Sequence, residues 1–418
     1  MPDRPPPHPS VEIRPITAEE LHAWQRHVAR SFGRAPNDEH VDRLLRPHMR
    51  YEDSLAAFDG GEMVATAHHE PAPITLPGGR VLDCVGVTRV GVATTHRRQG
   101  VLSAMMQHQL WQAHEQSNPL AALWASETPI YGRFGYGLAT VHDAYSIDTR
   151  DAGFAWWAPD TEGSVRFLSA TDAVEVMRPL FDVYATSRPG GMPRLPYRWH
   201  AYTEDSPDER GGASPMHYVA YTSPEGEREG YATYRLKSEW PDHIPAYRLT
   251  VDEMVALTPR ASAALWRYLL SVDLVGVVEA NDQPLDAALP WLLSDYRRLK
   301  RRPSDGLYLR ILDPEVALTA RTYPVADRLV LQLDDRLCPW ADGRFALDAA
   351  PEGAHVARTD AVPDLLLRPA ALGTLLLGTE RASVLAAVGL IEERRPGALA
   401  RADEMFRSTP APHCLNHF

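Results

Sequence analysis

The sequence predicts a mixed α/β fold in three units. Three observations carry this: a length of 418 residues, a hydrophobic content of 44%, and strand and helix signals that alternate along the chain. A chain this long exceeds what one hydrophobic core usually supports, so more than one domain is expected. Lys plus Arg total 43 against 55 for Asp plus Glu, a net charge of −12, which argues against nucleic acid or an anionic membrane as the main partner. Cys84, Cys338 and Cys414 are far apart and show no metal or redox spacing, so a reducing compartment is expected. Met1–Pro9 has no apolar core like a signal peptide and reads as a disordered lead-in. No stretch approaches the roughly 18 apolar residues of a membrane span, and a cytoplasmic location is expected.

The first unit, residues 1–150, opens with Thr17-Ala-Glu-Glu20, a capping-box pattern ahead of a helix. Leu55–Phe58 and Met63–Ala67 flank Asp59-Gly-Gly61 as a hairpin, and a second hairpin surrounds Pro77-Gly-Gly79. Leu102, Met106, Leu110 and Ala113 share one helix face until Pro119 stops the helix, and Leu120–Ala125 is a short buried strand. Thr128-Pro129 reads as a helix cap with Pro at the first position, and strand resumes over Tyr136–Asp148.

Residues 151–302 repeat the theme as a second α/β unit. Strands are expected at Tyr231–Leu236, Tyr247–Leu257 and Leu274–Ala280, with Thr258-Pro259 capping a helix through Leu270. Arg188-Pro-Gly-Gly-Met192 is read as a structural turn, because Pro189 lacks an amide donor. The basic run Arg297–Pro303 is read as a solvated boundary. Residues 303–418 then form a small α+β unit. It has strands at Leu307–Leu312, Arg328–Leu333 and Arg344–Leu347, helices near Pro314–Thr322, Pro369–Leu377, Arg381–Leu390 and Ala398–Phe406, and an irregular tail.

The stretch that carries chemistry is Val90–Leu102, where an apolar strand passes through Arg97, Arg98 and Gly100 into a helix. Backbone N–H groups at a helix start lack intrahelical partners and lie at the positive end of the dipole, so a pyrophosphate settles there. The guanidinium groups of Arg97 and Arg98 add charge-assisted contacts, and Gly100 keeps a Cβ out of the way. His68-His69-Glu70 lacks the second His of a zinc-protease helix, and His96 flanks the turn, so no metal is assigned.

On these residues the chain resembles the GNAT acyltransferases, whose motif A reads Q/R-x-x-G-x-G/A. Leu102 stands where the last small residue would be. Trp124-Ala-Ser-Glu127 with Ile130-Tyr-Gly-Arg-Phe-Gly-Tyr-Gly137 narrows the resemblance to the Eis (enhanced intracellular survival) family of N-acetyltransferases, which tolerates Leu there. Pro189–Met192, Leu265-Trp-Arg267, Asp305–Ile311 and a terminal Phe418 extend it over nearly the whole chain.

The resemblance implies tandem GNAT domains, the central one degenerate, and a C-terminal domain similar to sterol carrier proteins whose terminal carboxylate reaches the active site. It also implies a homohexamer of two stacked trimers. Acetyl-CoA is the implied co-substrate, its pantetheine arm pairing with Val90 and Val92, its pyrophosphate on Arg97, Arg98, Gly100 and Val101, with Ser126 also at the cofactor site. Tyr131 matches the family's general acid, and the carboxylate of Phe418 its general base. His417 either assists as a base or lies in a frayed tail.

The acceptor implied is a primary amine of a small molecule, such as an aminoglycoside or polyamine, or of lysine. Arg34 and His417 stand where related enzymes carry the acids of a polycation pocket, and Asp38 and Glu39 are the nearby candidates to compensate. The competing class is a non-catalytic acyl-CoA sensor or a carrier of an apolar ligand.

Overall fold

The computed structural model describes residues 8–207 and 210–418, so the lead-in expected at Met1–Pro9 lies outside the described residues as far as residue 7. The chain forms two compact units. One holds the chain up to Thr140, Leu307–Thr409 and His417–Phe418, and the other holds Val141–Gly306 and Pro410–Asn416.

The first unit contains a seven-stranded sheet. Its order is Glu12–Pro15, Ser54–Asp59, Glu62–Pro71, Cys84–Val92, Leu120–Trp124, Leu307–Ile311 and Gly137–Leu138. The hairpin at Gly60-Gly61 closes with both glycines at positive φ, as a two-residue turn requires. Alternation along Glu62–Pro71 sends His68 to the face where Trp24 of helix Leu21–Ser31 packs. His69 goes to the opposite face, beside Gln116 at the end of helix Val101–Glu115.

The strand at Leu307–Ile311, expected to open the third unit, instead pairs with Leu120–Trp124 and Gly137–Leu138. Helix Pro369–Leu377 lies on that strand, and two glycines allow the close approach. A Cβ on Gly137 would meet the Ala370 carbonyl oxygen at 1.8 Å, and one on Gly373 would meet that of Leu309 at 2.2 Å. Arg310, fully buried, is held by Asp335 at 2.5 Å. The same unit carries a five-stranded sheet ordered Gly353–Arg358, Gly343–Ala350, Asp327–Leu333, Leu365–Leu367 and Ile391–Glu393.

The second unit is built on another seven-stranded sheet: Ser164–Leu168, His217–Thr222, Arg228–Lys237, Tyr247–Ala256, Val275–Pro284, Val141–Asp148 and Lys300–Asp305. The expected single strand Tyr136–Asp148 therefore divides between the two sheets, and residues 300–303 of the basic run read as a boundary belong to an edge strand. Both differences share a cause: local alternation marks a strand but does not name its partner. The turn at 188–192 is structural, since a Cβ on Gly191 would lie 1.9 Å from the Ala185 carbonyl oxygen.

Capping follows the sequence in part. Thr258 accepts the Ala261 N–H at 3.2 Å as expected. At the N-terminus half of the expected box forms, the Glu20 carboxylate accepting the Thr17 N–H at 2.9 Å and a bidentate pair from Arg14 at 2.7 and 2.9 Å, while helix Leu21–Ser31 starts with no side-chain cap bond. The short helix Thr128–Tyr131 begins after Glu127, one residue earlier than the Thr128 cap expected, and no side chain bonds its first turn.

Candidate active site

The site begins where two parallel strands part. Cys84–Val92 and Leu120–Trp124 pair only from Cys84 opposite Leu120 to Val87 opposite Leu123. Beyond Val87 the first strand runs on to Val92 through an irregularity in its ladder. Arg89 has φ +53°, and the register against Glu62–Pro71 slips between Thr66 and His68. A main-chain edge next to the split is thus left for an extended ligand arm to pair with. At the end of the strand the chain turns through Arg98 at φ +64° and Gly100 at φ +86° into helix Val101–Glu115. Gly100 is the helix cap and supplies no side-chain acceptor, so the first helical N–H groups face outward for an anion.

The equivalent turn of the second unit is closed to an anion. There Thr258 caps the helix with its own hydroxyl, Pro259 has no N–H, and Arg260 is tied to Glu229 at 2.5 Å and Glu225 at 2.8 Å.

A cavity of about 710 Å³ fills the split. Val90, Gly91 and Val92 line it along the strand, and Arg97, Arg98, Gly100 and Val101 at the phosphate turn. Ser126 and Tyr131 line it beyond the end of Leu120–Trp124. The residues that the sequence assigns to the cofactor therefore share one cavity with Tyr131. The sequence reading missed Ser31 and Phe32 at the end of the first helix, and Glu127 and Arg133, which also line it. Glu127 and Arg133 lie inside the segment Trp124–Gly137 and were legible there; Ser31 and Phe32 carry no local signal.

Tyr131 is 8% exposed and meets Tyr136 edge to face, with ring centroids 6.1 Å apart. Burial raises the Tyr131 phenol above its ordinary value, and the negative charge of Glu127 adds to the effect. Tyr136 itself is buried, at 1% exposure.

Phe418 does not line the cavity. Its ring lies over Gly86, where a Cβ would come within 2.7 Å of Phe418 Cε2, four residues before Val90 on the same strand. His417 is not frayed: its ring stacks on Trp124 at 3.8 Å with an interplanar angle of 21°. Arg34 is exposed just beyond Phe32, Asp38 is engaged by Arg26 at 2.9 Å, and Glu39 is exposed. His96 lines the cavity and pairs with Asp59 at 3.2 Å. Among the described residues no group of three His, Cys, Asp or Glu side chains is arranged to hold a metal, and no helix is long and apolar enough to cross a membrane. The three cysteines are free and buried, and burial pushes the thiols of Cys338 and Cys414 up to about 11 and about 12.

Residues 12–139 match the model of an acetyltransferase (GNAT) domain, residues 190–311 a second one, and residues 314–415 a sterol carrier protein domain. The N-acetyltransferase Eis of Mycobacterium tuberculosis is 34% identical over 359 residues, spanning 84% of this chain and 85% of the relative. The chain belongs to the Eis family of GNAT N-acetyltransferases. An N-acetyltransferase of Streptomyces coelicolor is 35% identical over 96% of this chain and 98% of its own length. The crystal structure of Eis1 from Mycobacterium abscessus superposes with a TM-score of 0.84 at 31% identity, covering 97% of this chain and all of that one. Like others of the Eis family, the protein is an acyltransferase built from two GNAT domains and a sterol-carrier-like domain, and the acetyl donor of GNAT acetyltransferases is acetyl-CoA.

Proposed function

We propose that this Eis-family enzyme moves the acetyl group of acetyl-CoA to a primary amine within a ternary complex, with Tyr131 as general acid and the carboxylate of Phe418 as general base. The observation that carries the reading is the single cavity holding Val90, Val92, Arg97, Arg98, Gly100, Val101, Ser126 and Tyr131. The residues fit the donor. Gly100 at φ +86° leaves the phosphate turn open, and the uncapped helix start and two arginines supply donors and positive charge for a pyrophosphate.

When bound, acetyl-CoA supplies an activated thioester; the chain supplies position and protons. Backbone groups of Val90 and Val92 orient the pantetheine arm in the split. Tyr131, whose buried phenol stays protonated through neutral pH, donates its proton to the departing sulfur. The carboxylate of Phe418 takes the first proton of the acceptor ammonium, directly or through water, with His417 held nearby on Trp124 as a second base, and the second N–H proton, lost as the amide forms, restores the Tyr131 phenol. Direct transfer is favoured over a covalent acetyl-enzyme, because among the described residues no cysteine or paired serine nucleophile lines the cavity.

The acceptor is an aminoglycoside-like amine, a polyamine or a lysine. The wall carries Glu127 as a carboxylate against Arg97, Arg98 and Arg133, and Asp38 is occupied by Arg26. That balance favours an isolated amine, such as a lysine side chain, over a polycation. Trp156 and Trp291, 90% and 71% exposed, support burial of this surface between copies in the proposed homohexamer. The buried free thiols fit a reducing, cytoplasmic setting.

The test is release of CoA from acetyl-CoA with aminoglycosides, polyamines and lysine peptides in parallel. Turnover on any amine class, fastest on lysine peptides, is the expected result. Tight acetyl-CoA binding with no turnover on any amine would overturn the reading in favour of a sensor.

A further inference from the structure

The segment ahead of the first strand is built onto the phosphate turn. Val11 is buried in one cluster with Val101 and Met105 at the start of the helix that follows Gly100. Three residues upstream of Val11, His8 reaches the turn itself: its Nε2 lies 2.9 Å from the Gln99 carbonyl oxygen, and its Nδ1 accepts the Ser10 N–H at 3.2 Å. A carbonyl can only accept and an amide N–H can only donate, so these partners assign a neutral ring that carries its proton on Nε2. The ring also flanks Gly100, where a Cβ would stand 3.3 Å from Nε2.

The consequence lies in the geometry of one peptide group. In a trans peptide the C=O of Gln99 and the N–H of Gly100 point in opposite directions. His8 is not part of the cavity wall, whereas Gly100 is. Fixing the carbonyl toward His8 therefore turns the Gly100 N–H away from His8. Gly100 has the widest backbone freedom of any residue in the turn, so its amide has most to gain from an external hold. The side chain of Gln99 adds to the hold by donating to the Thr95 carbonyl at 3.1 Å.

We propose that His8 is a positioning residue for the donor: by binding the Gln99 carbonyl it fixes the Gln99–Gly100 peptide so that the Gly100 N–H meets the CoA pyrophosphate. This rests on the reading that the cavity holds acetyl-CoA. The N-terminal segment thus contributes to donor affinity without touching the reacting atoms.

Calorimetric titration of CoA into the full chain tests it, comparing wild type, His8→Ala and His8→Gln. His8→Ala weakens CoA about fivefold, the scale of one hydrogen bond, and raises the KM for acetyl-CoA with little change in kcat. His8→Gln, whose amide N–H can bond the same carbonyl, recovers most of the affinity. S-acetylpantetheine, which has no pyrophosphate, is used equally well by wild type and His8→Ala. Unchanged CoA affinity in His8→Ala, or an equal loss with the phosphate-free donor, would overturn the proposal. Failure of the wild type to bind CoA would instead overturn the reading of the cavity.

Discussion

Replacing Gly86 by alanine separates the Phe418 ring from the rest of the site. Gly86 lies mid-strand and is not among the residues with positive φ, so alanine is conformationally allowed there and favourable by about 0.5–1 kcal/mol on propensity. Its methyl group, however, would sit 2.7 Å from Phe418 Cε2, 2.8 Å from Cδ2 and 3.0 Å from the Ala72 Cβ. Carbon atoms rest at about 3.5–4.0 Å, and the Ala72 Cβ crowds the same methyl, so the Phe418 ring must retreat by roughly 1 Å. Carried through the short side chain to the terminal carboxylate, a displacement of that size costs about 10²-fold in rate. Gly86 does not line the cavity, so CoA affinity is expected to hold while kcat for acetyl transfer falls by about 10²-fold. CoA release under saturating substrates reads the rate, and calorimetry reads the affinity. Phe418→Ala combined with Gly86→Ala should lose no more than Phe418→Ala alone, because both remove the same placement. A Gly86→Ala enzyme within about threefold of wild-type kcat would refute the role given to Phe418.

Two further predictions concern stability. Asp335→Ala leaves the guanidinium of fully buried Arg310 without its carboxylate, at a cost of about 3–5 kcal/mol that urea unfolding would report, and a loss below about 1 kcal/mol would contradict it. His68 and His413 are held neutral, pushed down to about 3 and about 4, mainly by burial. The unfolded chain, with histidines near 6.5, then binds more protons than the fold. Their contribution is complete above about pH 6.5 and falls by roughly 1.4 kcal/mol per pH unit per histidine as pH drops toward the folded values. Melting temperatures between pH 8 and 5 should show this slope, and His68→Asn should flatten it; equal slopes would count against the assignment.

The site was more legible in the sequence than the sheets. Gly100, Arg97 and Arg98 announce a phosphate turn because the chemistry is local: a glycine between a strand and a helix, with two cations beside it. Tyr131 was legible only through the segment around it, since an isolated tyrosine on a short helix is ordinary core. The sheet order was not legible, because strand pairing is decided by partners far away in sequence. Leu307–Ile311 joins strands at Leu120–Trp124 and Gly137–Leu138, and Val141–Asp148 leaves them for the other sheet, though both have the alternation of any half-buried strand. The hold of His8 on Gln99 was hidden for the same reason, being a contact across 91 positions.

The most direct measurement is single-turnover acetyl transfer by Tyr131→Phe beside its affinity for CoA. Loss of the phenolic proton donor should slow transfer by about 10²–10⁴-fold while CoA binding stays within about twofold of wild type. Transfer by Tyr131→Phe within tenfold of wild type, on an amine that the wild type acetylates, would contradict the assignment of Tyr131 as general acid.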